Sequence, residues 1–188
     1  MIEVNHSLPP AQWEADVDRL LDCLNPWLIK HWQTCLVAAV DEPFYQPARS
    51  VDDLHQIQFA HGYFNSALHE LAHWCIAGEH RRTLPDFGYW YEPDGRTEQQ
   101  QKTFERVEIK PQAIEWHFAN ACGRTFRVSV DNLSGEPTDS KPFQLAVAEQ
   151  ARQYQQQGLP SRAADISRLL RNAFLNGSDE SFEFDLNP

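Results

Sequence analysis

Two histidines four residues apart constrain this chain more than any other feature. His69 and His73 lie in residues 67–74, which read ALHELAHW. The apolar residues that recur around them at helical spacing are Leu68, Leu71, Ala72, Cys75 and Ile76. This spacing predicts a buried helix, for which Asn65 or Ser66 offers an N-cap. Residues i and i+4 of a helix share one face, so both imidazoles would be presented together.

The two histidines form the pattern H-E-x-x-H, with Glu70 directly after the first of them. Neutral imidazole nitrogen is a ligand for zinc, iron, copper or nickel, and Glu70 can turn toward metal-bound water or a reacting oxygen. The pattern therefore predicts a metal site with Glu70 as its catalytic residue. Gluzincin-like zinc metallopeptidases share it, and a non-catalytic binding module stabilised by a metal is a further alternative.

Residues 97–123 contain the candidates for a third metal ligand. Their apolar residues recur at helical spacing, which predicts one buried helix face formed by Phe104, Val107, Pro111, Ile114 and Phe118. An acidic row lies beside this face, and a metal held by two histidines needs at least one more protein ligand. Glu108, at the edge of the apolar stripe, is the first candidate, Glu105 the second and Glu115 the third.

The length and the periodicities predict one predominantly helical α+β domain. A chain of 188 residues suffices for one well-buried core and is short for two domains. We expect five or six helices and a small β-sheet, formed by the segments near residues 87–91 and 126–130. A single catalytic domain would then span residues 1–175, and residues 176–188 would form a mobile acidic tail.

Prolines mark the expected helix boundaries. Pro26 should end the first helix, and Pro111 predicts a kink or a break near Lys110. Gly158 and Pro160 separate two further helical patterns. These last helices are predicted over about residues 142–157 and 161–174.

An aromatic segment follows the histidine helix. Tyr89, Trp90 and Tyr91 precede an Asp-Gly turn. They either pack on the core or form a binding wall beside the metal, with nearby arginines as donors. These arginines are Arg81, Arg82 and Arg96. His61, just before the helix, is either a hydrogen-bonded loop histidine or a residue behind the metal ligands.

Charge and apolar content exclude several classes of partner. The formal net charge is −11, from 16 Lys and Arg against 27 Asp and Glu, without a basic block, so nucleic acid is not expected as a direct partner. No positive N-terminal region precedes an apolar run, and no apolar run is long enough to span a bilayer. We therefore expect a cytoplasmic protein with no membrane contact. The four cysteines are widely spaced, which predicts free buried thiols.

Several short stretches in a fixed order resemble the bacterial elongation factor P hydroxylase family. The resemblance is densest between residues 59 and 133. The stretches that carry it are FAHG (59–62), SALHE (66–70), HWCIAG (73–78), DFGYWY (86–91), PDGR (93–96), VEIKPQA (107–113) and DNL (131–133). Together they are more specific than the five-residue metal motif.

The resemblance implies an iron-dependent hydroxylation, with O₂ as cosubstrate, of a lysine side chain on translation elongation factor P. In that family the lysine usually carries a β-lysyl group already. Carried onto this chain, His69, His73 and Glu108 would bind Fe(II), with zinc as the alternative metal. Glu70 would lie behind the ligands or handle protons near bound oxygen.

If the resemblance holds, the position and charge of several residues suggest substrate-binding roles. Asp86 and Asp94 would suit the two ammonium groups of a lysylated lysine. His61 would orient a ligand or the substrate. The aromatic residues expected to flank the alkyl stem are Tyr89, Trp90 and Tyr91.

Overall fold

The computed structural model describes residues 4–88, 96–130 and 139–177. Within these ranges it has five α-helices and three β-strands, with short 3₁₀ helices before α1 and after α2. In chain order the elements are α1 (Val17–Trp32), β1 (Thr34–Ala39), β2 (Phe44–Gln46), β3 (His55–Ala60), α2 (Phe64–Ile76), α3 (Glu98–Ala121), α4 (Lys141–Gln157) and α5 (Ser161–Phe174). The predominantly helical α+β class predicted from the sequence is confirmed.

The sheet is formed by β1, β3 and β2, in that order across the sheet. β3 lies in the centre, parallel to β1 and antiparallel to β2. Every residue of β1 is buried, so the strand shows no alternation of apolar and polar residues. This is why the sequence pattern did not reveal it.

The predicted strand at residues 126–130 was wrong, and the one near residues 87–91 is contradicted at residues 87 and 88, the part of it that the structure describes. Residues 126–130 form no strand, and Gly88 ends a 3₁₀ helix, while residues 89–91 lie outside the described part of the chain. Apolar and polar residues alternate here because Phe126, Val128 and Val130 are partly buried against α3 and α4, while residues 127 and 129 are exposed. The side-chain amide of Gln112 donates to the Ser129 carbonyl at 2.8 Å and accepts from the Ser129 N–H at 3.1 Å.

Two prolines lie inside helices that they were expected to interrupt. α1 continues past Pro26, and α3 runs without a break through Pro111. A proline removes one backbone donor, which leaves the carbonyl four residues earlier without its helical partner. For Pro111 that residue is Val107, which is 41% exposed, so water can reach this turn. The expectation that Val107 is buried was wrong, although Phe104, Pro111, Ile114 and Phe118 are buried as predicted.

The histidine helix α2 lies at the centre of the core. It contacts β3, α3 and α5. Its largest fully buried side chains are Phe64, Leu68 and Trp74. The same core includes residues of α1 and β1, and a second apolar cluster joins α3 to α4. Because α2 is enclosed by other elements, its side chains have fixed positions relative to α3.

A tight turn connects β3 to α2. His61 and Gly62 both have left-handed φ angles, of 51° and 66°. The sequence predicted Asn65 or Ser66 as the N-cap of α2, but neither has this role, because the N-cap position is Tyr63. Instead the Phe64 N–H donates to the carboxylate of Glu14 at 2.8 Å, a residue far away in the sequence.

Replacing Gly62 by alanine is expected to destabilise the fold by about 2 kcal/mol, because the left-handed φ and the lack of space both oppose a side chain. A Cβ there would lie 2.9 Å from Leu8 Cδ2 and 3.1 Å from Trp13 Cα. Urea denaturation measures the loss. Gly78→Ala is the matched control, since nothing lies within 4 Å of its Cβ position. Equal unfolding midpoints for the two variants would contradict this account of the turn.

The sequence also predicted free cysteines and no membrane-spanning segment. Among residues 4–88, 96–130 and 139–177, no helix combines the length and the apolar character needed to cross a membrane. The four cysteines are free, and all but Cys23 are buried. The predicted tail lies outside the described residues from residue 178 onward, so the boundary near residue 175 stays a prediction.

Candidate metal centre

Helices α2 and α3 bring three potential ligands together. His69 and His73 come from successive turns of α2, and Glu108 comes from the middle of α3. Nε2 of His73 lies 3.1 Å from Glu108 Oε1 and 3.1 Å from Nε2 of His69. Nε2 of His69 lies 3.6 Å from Glu108 Oε2. The three ligand atoms all lie within 4.8 Å of one another.

This arrangement fits a divalent metal. Two ligands about 2.1 Å from one ion and near right angles are about 3 Å apart, which is close to the distances between these nitrogen and oxygen atoms. Two imidazoles and one carboxylate are also the donor set of a facial triad, which leaves other coordination positions open. Among the described residues, this is the group of His, Cys, Asp and Glu side chains that could hold a metal ion.

Glu108 supplies a buried negative charge. Its side chain is only 2% exposed. Burial alone would raise the pKa of its carboxyl, but the imidazoles of His73 and His69 outweigh burial and lower the pKa to about 2. The Gln112 amide also donates toward Glu108 Oε2, at 3.4 Å. Glu108 is therefore ionised at neutral pH, and a buried charge of this kind needs a cationic partner.

Glu115 contacts the other nitrogen of His69. Its Oε2 lies 2.8 Å from Nδ1 of that histidine. Burial lowers the pKa of His69, but the hydrogen bond and charge of Glu115 outweigh it, with the charges of Glu108 and Glu70, and raise the pKa well above its usual value. Glu105 is not in the cluster, and it accepts a hydrogen bond from Gln101 at 3.2 Å. The three candidate glutamates therefore have different surroundings: Glu108 lies in the cluster, Glu115 contacts the far nitrogen of His69, and Glu105 lies outside.

Glu70 lies within electrostatic range of the cluster. Burial raises the pKa of its carboxyl, and the charges of Glu108 and Asp86 add to this effect, while His69 and His73 oppose it. Glu70 is thus a carboxyl group with a raised pKa beside the candidate ligands. Such groups are typical of functional sites.

The other predicted site residues have different surroundings. Asp86 is partly buried, and its Oδ1 accepts a hydrogen bond from the Tyr45 N–H at 2.8 Å. Its charge also contributes to the raised pKa of Glu70. His61 is exposed in the β3–α2 turn, with its ring 5.6 Å from that of Tyr63, and is not part of the cluster. The predicted residues that lie outside the described part of the chain are Tyr89, Trp90, Tyr91 and Asp94.

The arginines expected in a binding wall are engaged in structural contacts. Arg96 is 1% exposed and donates to Gln101 Oε1 at 2.9 Å. Arg82 donates to the Ala77 carbonyl at 2.7 Å, and Arg81 donates to a backbone carbonyl at 3.0 Å. Their positive charge alone gave no means of separating a structural role from substrate binding.

The end of α2 is held by a residue that the sequence did not reveal. Arg162, on α5, donates to the carbonyls of Trp74, Cys75 and Ala77 at 3.1, 2.8 and 2.6 Å. Its guanidinium also lies over the rings of Trp32 and Trp74, 5.2 and 5.0 Å from their centroids. No local pattern in the sequence indicates this long-range contact.

Fold and site together define the class of protein. It is a mostly helical α+β protein in which an H-E-x-x-H helix and a glutamate of the neighbouring helix present a two-histidine, one-carboxylate donor set. Residues 23–184 match the family described as elongation factor P hydroxylase, and the chain belongs to that family. This confirms the resemblance noted in the sequence.

A relative from Haemophilus influenzae extends the comparison over most of the chain. It is named elongation factor P lysine hydroxylase and is 46% identical over 167 residues. The matched region covers 89% of this chain and 93% of the relative. The similarity therefore includes both helices of the candidate metal centre.

Proposed function

We propose that this chain is an enzyme that hydroxylates a lysine side chain of translation elongation factor P. The observation that carries this proposal is its membership of the elongation factor P hydroxylase family, with 46% identity to a relative named for that activity. The same finding favours hydroxylation over a gluzincin-like zinc peptidase or a non-catalytic binding module. Acting on a translation factor would place the enzyme in the cytoplasm, where protein synthesis takes place.

The proposed cofactor is Fe(II), held by His69, His73 and Glu108. When bound, iron in a facial triad supplies open coordination positions at which O₂ can be activated. The close approach of the three ligand atoms and the ionised, buried Glu108 support this assignment. Zinc fits the same donors, but it has no redox chemistry and would suit a hydrolase instead.

The surrounding carboxyl groups have roles of their own in this proposal. Glu70, whose pKa burial raises, can hold or release a proton beside the reacting groups. Asp86 would attract an ammonium group of the substrate, which fits a lysine that already carries a β-lysyl group and therefore two cationic amines. The other predicted substrate contacts are His61, Tyr89, Trp90, Tyr91 and Asp94.

Mass spectrometry of the factor tests the function directly. The metal-free protein is loaded with Fe(II) without oxygen and then incubated in air with the lysylated factor and excess ascorbate. The ascorbate supplies the two electrons that reduce the second oxygen atom of O₂ to water. We expect a gain of about 16 Da, one oxygen atom, on the factor. His73→Ala should abolish the gain, because it removes one of the three ligands. His80→Ala, at an exposed position beyond α2, should leave it unchanged.

Other results would point to the alternatives. A factor that is cleaved instead of gaining mass would favour the zinc peptidase. An unchanged factor, together with unfolding of the protein when metal is removed, would favour the binding module. Running the unlysylated factor in parallel separates the reaction itself from the preference for the lysylated form.

A further inference from the structure

We infer that Glu115 is a positioning residue that fixes the orientation and the tautomer of His69. Its carboxylate would hold the proton of His69 Nδ1 and leave the lone pair of Nε2 directed at the metal. This inference rests on the metal centre of the proposed function and adds a fourth side chain to it. From the sequence, Glu115 was a candidate only as a third-choice metal ligand.

The geometry of α3 makes this role possible. Glu115 follows Glu108 by seven residues, about two helical turns, so both carboxyl groups lie on the face of α3 toward α2. His69 lies between them. Its Nδ1 is 2.8 Å from Glu115 Oε2, while its Nε2 is 3.6 Å from Glu108 Oε2 and 3.1 Å from Nε2 of His73. The two ring nitrogens of His69 therefore face different partners.

The chemistry of the pair sets the tautomer. A neutral imidazole has one N–H, and an ionised carboxylate can only accept a hydrogen bond. The 2.8 Å contact therefore assigns the N–H of neutral His69 to Nδ1. This leaves Nε2 unprotonated, which is the state that a metal ligand requires. The carboxylate also makes the imidazole a stronger electron donor.

Burial makes the contact effective. The side chain of Glu115 is only 13% exposed, and that of His69 is 23% exposed. Water competes weakly for a hydrogen bond in such surroundings, so the ring orientation is well defined. Because Glu115 is on α3 and His69 on α2, the bond also fixes the two ligand-bearing helices relative to each other.

Metal affinity measured with Co(II) as the probe tests the role without any turnover. We expect the Co(II) dissociation constant of Glu115→Ala to rise by about 10- to 100-fold, as is typical for losing the partner of a ligating histidine. Glu115→Gln should show a smaller rise, since its amide oxygen can still accept the bond but carries no charge. Glu105→Gln is the matched control on α3, and its affinity should equal that of the wild type.

A second readout reports the tautomer itself. In the Zn(II)-loaded wild type, ¹⁵N NMR should show a slowly exchanging N–H at Nδ1 of His69, with Nε2 shifted by the metal. In Glu115→Ala this N–H signal should be lost to exchange with water. A residue that only packed between α2 and α3 would not control this signal. If Glu115→Ala does not fold, the Co(II) affinity of Glu115→Gln provides the test.

The outcomes distinguish this inference from the function on which it rests. Wild-type affinity in both Glu115 variants, with an unchanged Nδ1 signal, would overturn the positioning role and leave the metal centre intact. A wild-type protein that binds no Co(II) would overturn the metal centre and the positioning role together. Reduced Co(II) affinity in the Glu115 variants, with the affinity of Glu105→Gln unchanged, would establish the positioning role.

Discussion

Glu108→Gln is expected to abolish hydroxylation and to weaken Co(II) binding by more than about 100-fold, the upper range for losing a residue behind a ligand. The amide has nearly the same shape as the carboxylate but no charge. Because the side chain is 2% exposed and its oxygens lie 3.1 and 3.6 Å from the two histidines, the substitution removes a buried negative charge from directly beside both of them. Isothermal titration and intact-mass analysis of the factor measure the two losses.

The fold should survive this substitution. The helical circular dichroism of metal-free Glu108→Gln is expected to match that of the wild type, since glutamine fills the same volume on α3. Glu105→Gln, one turn away and outside the cluster, should retain both affinity and activity. Wild-type activity in Glu108→Gln would remove Glu108 from the metal centre and return the choice of ligand to Glu105 or Glu115.

Arg162→Met is expected to lower the free energy of unfolding by about 3 kcal/mol, because the carbonyl oxygens of Trp74 and Cys75 lose a charged donor, whereas that of Ala77 keeps the one from Arg82. These carbonyls end α2, the helix that carries His69 and His73. Methionine keeps an apolar stem to pack near Trp74, so the loss measures the hydrogen bonds more than the packing. Urea denaturation of the metal-free protein gives the value.

A second arginine of α5 provides the comparison. The side chain of Arg168 is 67% exposed and pairs with Asp165 one turn earlier, at 2.7 Å. Such surface pairs contribute little, so Arg168→Met should change the free energy of unfolding by less than about 0.5 kcal/mol. A loss of similar size in both variants would mean that the contacts of Arg162 with the end of α2 stabilise the fold no more than an exposed ion pair does.

Local patterns in the sequence were sufficient for several parts of this protein. The H-E-x-x-H pattern placed His69 and His73 on one face of a helix, and the structure has them there. The last two helices were predicted over 142–157 and 161–174, and they span Lys141–Gln157 and Ser161–Phe174. These predictions succeeded because helical periodicity and helix-ending residues are properties of neighbouring residues.

The sheet and the prolines show where local patterns fail. The buried strand β1 has no alternation to detect, and the alternating segment 126–130 lies along α3 instead of joining the sheet. Pro26 and Pro111 remain within helices, because packing of the whole helix outweighs one missing hydrogen bond. In each case burial by distant elements determines the conformation, and burial is not visible in a local window.

The sequence by itself determined which side chains could form a metal site and, through its likeness to a family, what reaction to expect. It ranked Glu108 ahead of Glu105 and Glu115 but could not separate their roles, because all three occur in one acidic row of α3. Only the packing of α2 against α3 decided that Glu108 faces both histidines while Glu115 contacts the far nitrogen of His69. A position along a helix sets the direction of a side chain, whereas the partner it meets depends on the neighbouring helix.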